Sequence, residues 1–263
     1  MPRIIRPAII AILLLLAVSS LARVISIADF EDEIYKLTNY ERRKEHLPDL
    51  AYDTGLADLA RRHSKNMASA DFFDHKDREG LRVGGRVEKY YPAMFAASVG
   101  ENIAFFQVGN KVFNASEIVE GWMNSPPHRA AILNGDFTYI GVGVVLRGDK
   151  LYATQNFART LYKLLSNLPE KPDQCHTYVV EFEYMGVEDP ATLQATLDVP
   201  DRKQEIPVGG NRYRVGSEPR EIEWLDDRRF RVNLDFRFGR GKYLLRFGWD
   251  GSFYSEGISF KVK

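Results

Sequence analysis

The chain has 263 residues, of which 44% are apolar and 27% charged, a globular composition with room for one large or two ordinary domains. Its formal net charge is zero, which excludes the basic footprint of a nucleic-acid binder. A single cysteine, Cys175, excludes an internal disulfide, so stability has to come from packed cores; an idle thiol is the simpler reading, and pairing with another molecule is the alternative.

Arg3 and Arg6 precede an uncharged run over residues 7–22, centred on Ile12-Leu13-Leu14-Leu15-Leu16-Ala17-Val18 and ending in Ser19-Ser20-Leu21-Ala22. Basic, apolar, then small is the order of a secretory signal. The run is short for a bilayer span of about 20 residues. Residues 24–28 stay apolar after Arg23, so an uncleaved anchor is the alternative and a buried core helix the third reading. As signal or anchor, residues 1–28 bring the chain to a membrane, and the remainder is expected to be secreted or extracytoplasmic.

Residues 29–160 read as mixed helix and strand. Phe30, Ile34, Leu37 and Glu41 follow helical spacing, with Asp29 a candidate cap. Leu47-Pro48-Asp49 ends that run. Leu56, Leu59, Ala60, His63 and Met67 form a second stripe, capped by Asp53 or Thr54. The segment around Tyr90-Tyr91-Pro92, Met94 and Phe95 reads as a long loop before Gly100, whose aromatics pack beneath it or rim a binding site. A third helix is expected over 115–123, stopped by Pro126-Pro127, and a short one over 128–133. Residues 139–146 and 151–158 then read as a hairpin across Arg147-Gly148-Asp149-Lys150.

Residues 161–175, with Leu168-Pro169-Glu170-Lys171-Pro172, read as a linker. From His176 onward the period changes to two. Strands are expected over 177–184, 192–199, 205–208, 213–215, 221–224, 230–238, 242–247 and 258–262. That density indicates a β-sandwich over 176–263, of immunoglobulin-like type, with Tyr243 as a candidate corner tyrosine.

Three segments carry the chemistry: Phe73-Asp74-His75, Gly100-Glu101-Asn102-Ile103 and Trp122-Met123-Asn124-Ser125-Pro126-Pro127-His128-Arg129. Two imidazoles and a carboxylate can hold Zn²⁺ or another divalent cation and leave a position for water. Nothing in their spacing makes them converge, however, and no short metal motif of the His-Glu-x-x-His kind is present. A hydrogen-bonded triad that merely orders a cleft is the plainer alternative. Glu101 can also satisfy backbone amides of a turn at 100–102. His63, inside an apolar stripe, reads as a core or cleft-wall histidine. Ser125 reads as a helix cap and otherwise as a partner for bound water. Gln155 lines the cleft or serves its own strand. No Gly-x-Ser-x-Gly elbow frames a serine nucleophile.

These segments, with Asn39-Tyr40-Glu41-Arg42, His63-Ser64, Ile132-Leu133-Asn134 and Ile140-Gly141-Val142-Gly143-Val144, make residues 29–160 similar to the CAP superfamily in its prokaryotic SCP-like form. The resemblance implies an α+β chain: a three-layer α-β-α sandwich with a surface cleft, followed here by the all-β sandwich. It implies that His75, Glu101 and His128 share that cleft as ligand-binding, metal-binding or catalytic residues. Ser125 stands where the family's second acid is found, so the acidic pair is incomplete. The resemblance implies no agreed activity. Three classes therefore stay open: a module binding an extracellular small molecule, lipid, peptide or cell-surface partner; a metal-assisted, peptidase-like hydrolase; and a structural or adhesive surface protein.

Overall fold

The computed structural model describes residues 26–107, 114–210 and 212–263. The signal or anchor read for residues 1–28 lies outside the described residues up to residue 25. No helix among the described residues is long and apolar enough to cross a membrane.

The first helix, α1 (Ile27–Lys44), is capped by Ser26, whose hydroxyl accepts from the Asp29 amide at 3.1 Å. The expected cap Asp29 therefore lies inside the helix, where its charge suits the N-terminal dipole. β1 (Ala51–Tyr52) leads to α2 (Thr54–Ala70), capped by Asp53 through a 2.7 Å bond from the Leu56 amide. α3 (Val83–Tyr90) falls where no element was expected, β2 (Met94–Gln107) begins inside the stretch read as a long loop before Gly100, and Gly100-Glu101-Asn102 is strand rather than turn. α4 (Ala115–Met123) and α5 (Pro126–Ile132) follow. β3 (Tyr139–Arg147) and β4 (Lys150–Leu164) form the expected hairpin, with Gly148 at φ +62° in its two-residue turn.

β4 is the centre of the first unit, with β3 along one edge and β2 along the other, while β1 pairs with β3. Alternation along these strands divides the unit into layers. Ile140, Val142, Val144, Ala153 and Phe157 face α1 and α4 across one core that includes Ile34, Ile118 and Trp122. On the other face Ile103 and Tyr152 pack against Met67 and Ala68 of α2, and Val87 of α3 packs with Leu56, Leu59 and Ala158. The result is an α-β-α sandwich.

Residues 161–164, read as the start of the linker, are the last residues of β4. Tyr162, Lys163 and Leu164 exchange β3 for a new neighbour, pairing with Tyr184, Glu183 and Phe182 of β5 (Thr177–Tyr184). One sheet thus runs from the first unit into the second. The stretch without helix or strand begins after Leu164, because Tyr162 stacks on Phe95 of β2 at 4.9 Å and its backbone is needed in the ladder.

Beyond a 3₁₀ turn (Pro190–Thr192) come β6 (Gln194–Asp198), β7 (Glu205–Gly209), β8 (Arg212–Val215), β9 (Ser217–Arg220), β10 (Ile222–Trp224), β11 (Arg229–Asp235), β12 (Gly241–Trp249), β13 (Ser252–Phe253) and β14 (Ile258–Val262). The sheet containing β5 continues through β11 to β10. A second sheet runs β14–β12–β6–β9, with β13 also on β12. Val180, Phe182, Phe230, Val232, Leu197, Leu245, Phe247 and Phe260 close the two into a sandwich. Tyr243, fully buried at the start of β12, donates its hydroxyl to the carbonyls of Phe236 (2.9 Å) and Gly239 (2.8 Å).

Candidate functional site

α2 ends shortly before the loop that carries His75. His63, one of the helix's fully buried residues, bonds through Nε2 to the Asp74 carbonyl at 3.0 Å, which ties that loop to the helix. A carbonyl only accepts, so Nε2 carries a proton; Nδ1 is buried without a partner among the described residues, where a second proton would find no acceptor. Burial is the main cause that holds the His63 pKa below the usual histidine value of 6.5. The unfolded chain therefore binds the extra proton first. The His63 contribution to stability is complete above about pH 6.5 and is lost as the pH falls below it. Chemical denaturation from pH 8 to pH 5 should show declining stability, with a shallower decline in His63→Gln. His128 has the same sign, so part of the slope should survive.

His75 follows Asp74, and its Nδ1 donates to Glu101 Oε1 at 2.9 Å. Glu101 projects from β2 towards the α2 layer. Its side chain is 3% exposed, against 39% for His75, so the carboxylate lies beneath the imidazole. The second oxygen of Glu101 accepts from Nη2 of Arg86 on α3. Arg86 is itself 1% exposed, and its Nη1 donates to the carbonyls of His75 (2.9 Å) and Leu81 (2.8 Å). A buried guanidinium thus fixes a buried carboxylate, which fixes the ring and tautomer of a half-exposed histidine. Nε2 is left as the ring's free nitrogen among the described residues.

His128 enters from the other helical layer on α5. Its carbonyl accepts from Asn102 Nδ2 at 3.1 Å, so the residue after Glu101 anchors the opposite wall. The ring is half-buried, and its pKa is lowered first by burial and then by the charge of His75. The charge of His75 thus reaches the His128 ring.

Other expected members stand elsewhere. Gln155 is fully buried: Oε1 accepts from Asn102 at 3.2 Å and Nε2 donates to Thr38 Oγ1 at 2.6 Å. Its amide is engaged inside the fold, so of the two expected roles the internal one holds and the cleft-wall one does not. Ser125 occupies the N-cap position of α5, but its hydroxyl makes no capping bond; only its carbonyl does so, to the Arg129 amide at 2.8 Å. Glu101 does not serve turn amides, because both oxygens go to side chains. Tyr91 packs inward over Gly55, with its hydroxyl 3.3 Å from Asp53 Oδ2, and is not a rim aromatic.

Arg86 is the residue that sequence reasoning missed. The signal was present: Val83, Arg86, Val87 and Tyr90 recur at helical spacing, which puts an arginine within an apolar stripe.

The donor set does not fit a divalent cation bound at His75, Glu101 and His128 together. One Glu101 oxygen holds His75 and the other is already neutralised by Arg86. Among the described residues no three His, Cys, Asp or Glu side chains are grouped to hold a metal ion. Glu101 acts as the orienting partner of an imidazole, the role carboxylates take behind a ligand.

Comparison with known proteins gives this site a context. The family model described as CAP, the cysteine-rich secretory protein family, matches residues 35–157. The uncharacterized membrane protein YlbC of Bacillus subtilis (strain 168) is 38% identical over 129 residues, which are 49% of this chain and 34% of that protein. The uncharacterized protein YkwD of the same organism is 37% identical over 124 residues, 47% of this chain and 46% of that one. The chain therefore spans less than half the length of either curated relative. Among solved structures, an extracellular protein containing a SCP domain from Bacillus anthracis str. Ames aligns at 33% identity and TM-score 0.44, covering 50% of this chain and 41% of that one. An outer surface protein from Borrelia burgdorferi aligns at 20% identity and TM-score 0.46, covering 52% of this chain and 96% of that one. Residues 35–157, which carry His75, Glu101 and His128, thus match the CAP model of the cysteine-rich secretory protein family.

Proposed function

We propose that this is an extracytoplasmic binding protein: a CAP domain whose His75/Glu101/His128 cleft takes up a ligand or partner, carried on an immunoglobulin-like β-sandwich. One observation carries the reading. Arg86 and Glu101, both almost wholly buried, hold His75 in one tautomer and leave Nε2 without a partner among the described residues, and His75 is close enough to His128 for its charge to lower the His128 pKa. Fixing a partly exposed ring through two buried charges costs desolvation, and a preorganised recognition group is what that cost obtains. Among the described residues no hydroxyl or thiol is hydrogen-bonded to the ring of His75 or His128 as a nucleophile would be, so binding is favoured over hydrolysis. The leader-like sequence of residues 1–22 supports a place outside the cytoplasm, and the relative YlbC carries the description of a membrane protein. The immunoglobulin-like assignment is supported by strand order β14–β12–β6–β9 against β5–β11–β10, and by the Tyr243 hydroxyl bonded to backbone upstream of it.

The test is a fragment panel of small carboxylates, blocked dipeptides, short sugars and acyl chains, read on the His75 and His128 ring ¹⁵N resonances of the full chain in detergent. One chemical class should shift both rings and lose its effect in the His75→Ala/His128→Ala double variant. If no class moves either ring, and the double variant differs only in stability, the cleft is structural. Calorimetric titration of Zn²⁺ is the companion measurement. Micromolar uptake that the double variant loses would overturn the exclusion of a metal at Glu101 and revive the hydrolase reading.

A further inference from the structure

We infer that the ligand of this cleft is an extended peptide that pairs with the open edge of β2 and so lies between His75 and His128. The inference rests on the binding reading above and names its ligand class.

β2 has one ladder partner among the described residues, β4, so its other edge is open. Which residues face outward follows from the hairpin. In a two-residue turn the closing pair, Arg147 and Lys150, is hydrogen-bonded, so even-numbered residues of β4 bond to β3 and odd-numbered ones to β2. The Thr138 amide, on the β3 side, accordingly donates to the Ala158 carbonyl at 3.0 Å. Gly100 and Asn102, opposite Phe157 and Gln155, therefore turn their backbone groups to β4. Val99, Glu101 and Ile103 turn theirs outward. The Ile103 carbonyl agrees with this parity by accepting from Trp122 Nε1 at 3.1 Å, which also closes the edge at that point.

Val99 and Glu101 remain. Their backbone groups have no partner among the described residues outside the β2–β4 ladder. Glu101 is half-buried as a residue although its side chain is 3% exposed, so the exposed atoms are its main chain. Unpaired strand N–H and C=O groups are a template for another strand. Here Glu101 carries His75 on its side chain, and the next residue, Asn102, holds the His128 carbonyl on the opposite face.

The same edge continues into a groove of about 540 Å³ along Ala97, Ser98 and Val99, walled by α3 and by the approach to β14. Glu88 on one wall and Glu256 on the other are exposed and form no ion pair among the described residues. Two free carboxylates on one groove favour a peptide whose end lying there is basic. The accessible edge admits about five residues of partner at roughly 3.4 Å each.

The test uses the ¹⁵N-labelled full chain in detergent and a blocked peptide of alternating valine and threonine with lysine at each end. Two further peptides are N-methylated, one at the odd positions and one at the even positions. The expected result is slowed amide exchange at Val99 and Glu101, shifts of both histidine rings, and loss of about tenfold or more in affinity for only one of the methylated peptides. A peptide with glutamate ends should bind more weakly. Ring shifts without amide protection, or an equal effect of the two methylations, would overturn strand pairing and leave the cleft reading standing. If the peptide gives neither, strand pairing fails; if the fragment panel also moves neither ring, the cleft reading fails with it.

Discussion

Replacing Arg86 with methionine should destabilise the protein by about 3–5 kcal/mol, the cost of stranding one member of a buried ion pair. Arg86 is 1% exposed and the Glu101 side chain 3%, so water cannot take over when the guanidinium is gone. Exposed pairs such as Lys36–Asp32 are of the opposite kind, and their removal should hardly register. The same substitution also removes the hydrogen bonds from Arg86 to the carbonyls of His75 and Leu81. The measurement is urea unfolding of Arg86→Met, Glu101→Gln and the double variant. The double variant should be less destabilised than the sum of the singles, because neither partner is left as an uncompensated charge. A single Arg86→Met variant within about 0.5 kcal/mol of wild type would mean that the carboxylate is solvated and that His75 is not held in the way described.

Much of the scaffold around this pair was legible in the sequence. The apolar stripes of α1, α2 and α4 recur at helical spacing, and the short helix expected over 128–133 is α5, which starts two residues earlier on Pro126-Pro127. Strands such as β5 and β14 alternate cleanly and fall where they were expected. The failures share a cause. α3 contains Gly84-Gly85, and β2 begins with a register shift around Ala96 and Ser98 and continues through Gly100. Glycines weaken a helical signal, and a bulge breaks period-two alternation. The helix therefore went unassigned, and the start of the site's edge strand was read as a loop. The continuity of β4 into β5 was hidden for a different reason. A strand that changes partner midway keeps the same local pattern, so only the fold shows that residues 161–164 belong to a ladder.

The site divides in the same way. His75, Glu101 and His128 were found by resemblance; the structure bonds His75 to Glu101 of β2 and the His128 carbonyl to the neighbouring Asn102. What resemblance did not convey is the division of labour. Glu101 has no oxygen to spare, and Gln155 is an internal link from Asn102 to Thr38. These are properties of hydrogen-bond satisfaction, which depends on where every neighbouring donor lies.

Gly143→Ala is the second large effect, and it concerns the distance between α2 and the sheet. A Cβ at Gly143 would lie 2.0 Å from the Arg61 amide nitrogen and 2.3 Å from the Ala60 carbonyl carbon; at Gly141 it would lie 2.1 Å from the Ala57 nitrogen. All three are backbone atoms of α2, so no side chain can turn aside. The helix has to withdraw. Withdrawal breaks the bond of 2.8 Å from the Ser64 hydroxyl to the Gly143 carbonyl and loosens the fully buried Met67 and Leu56. A cost of about 3 kcal/mol or more is expected, at the upper end of overpacking effects. Gly121, in the last turn of α4 with open space where its Cβ would be, supplies the control. There the same substitution should stabilise by about 0.5–1 kcal/mol, because only helix propensity changes. Thermal and urea unfolding of both variants reads the contrast. Because His63 on α2 ties the loop before His75, Gly143→Ala should also broaden or shift the His75 ring resonance, and Gly121→Ala should leave it in place. A stable Gly143→Ala protein with an unmoved ring would show that the helix can retreat without disturbing the cleft, and that the close approach of α2 to β3 serves packing alone.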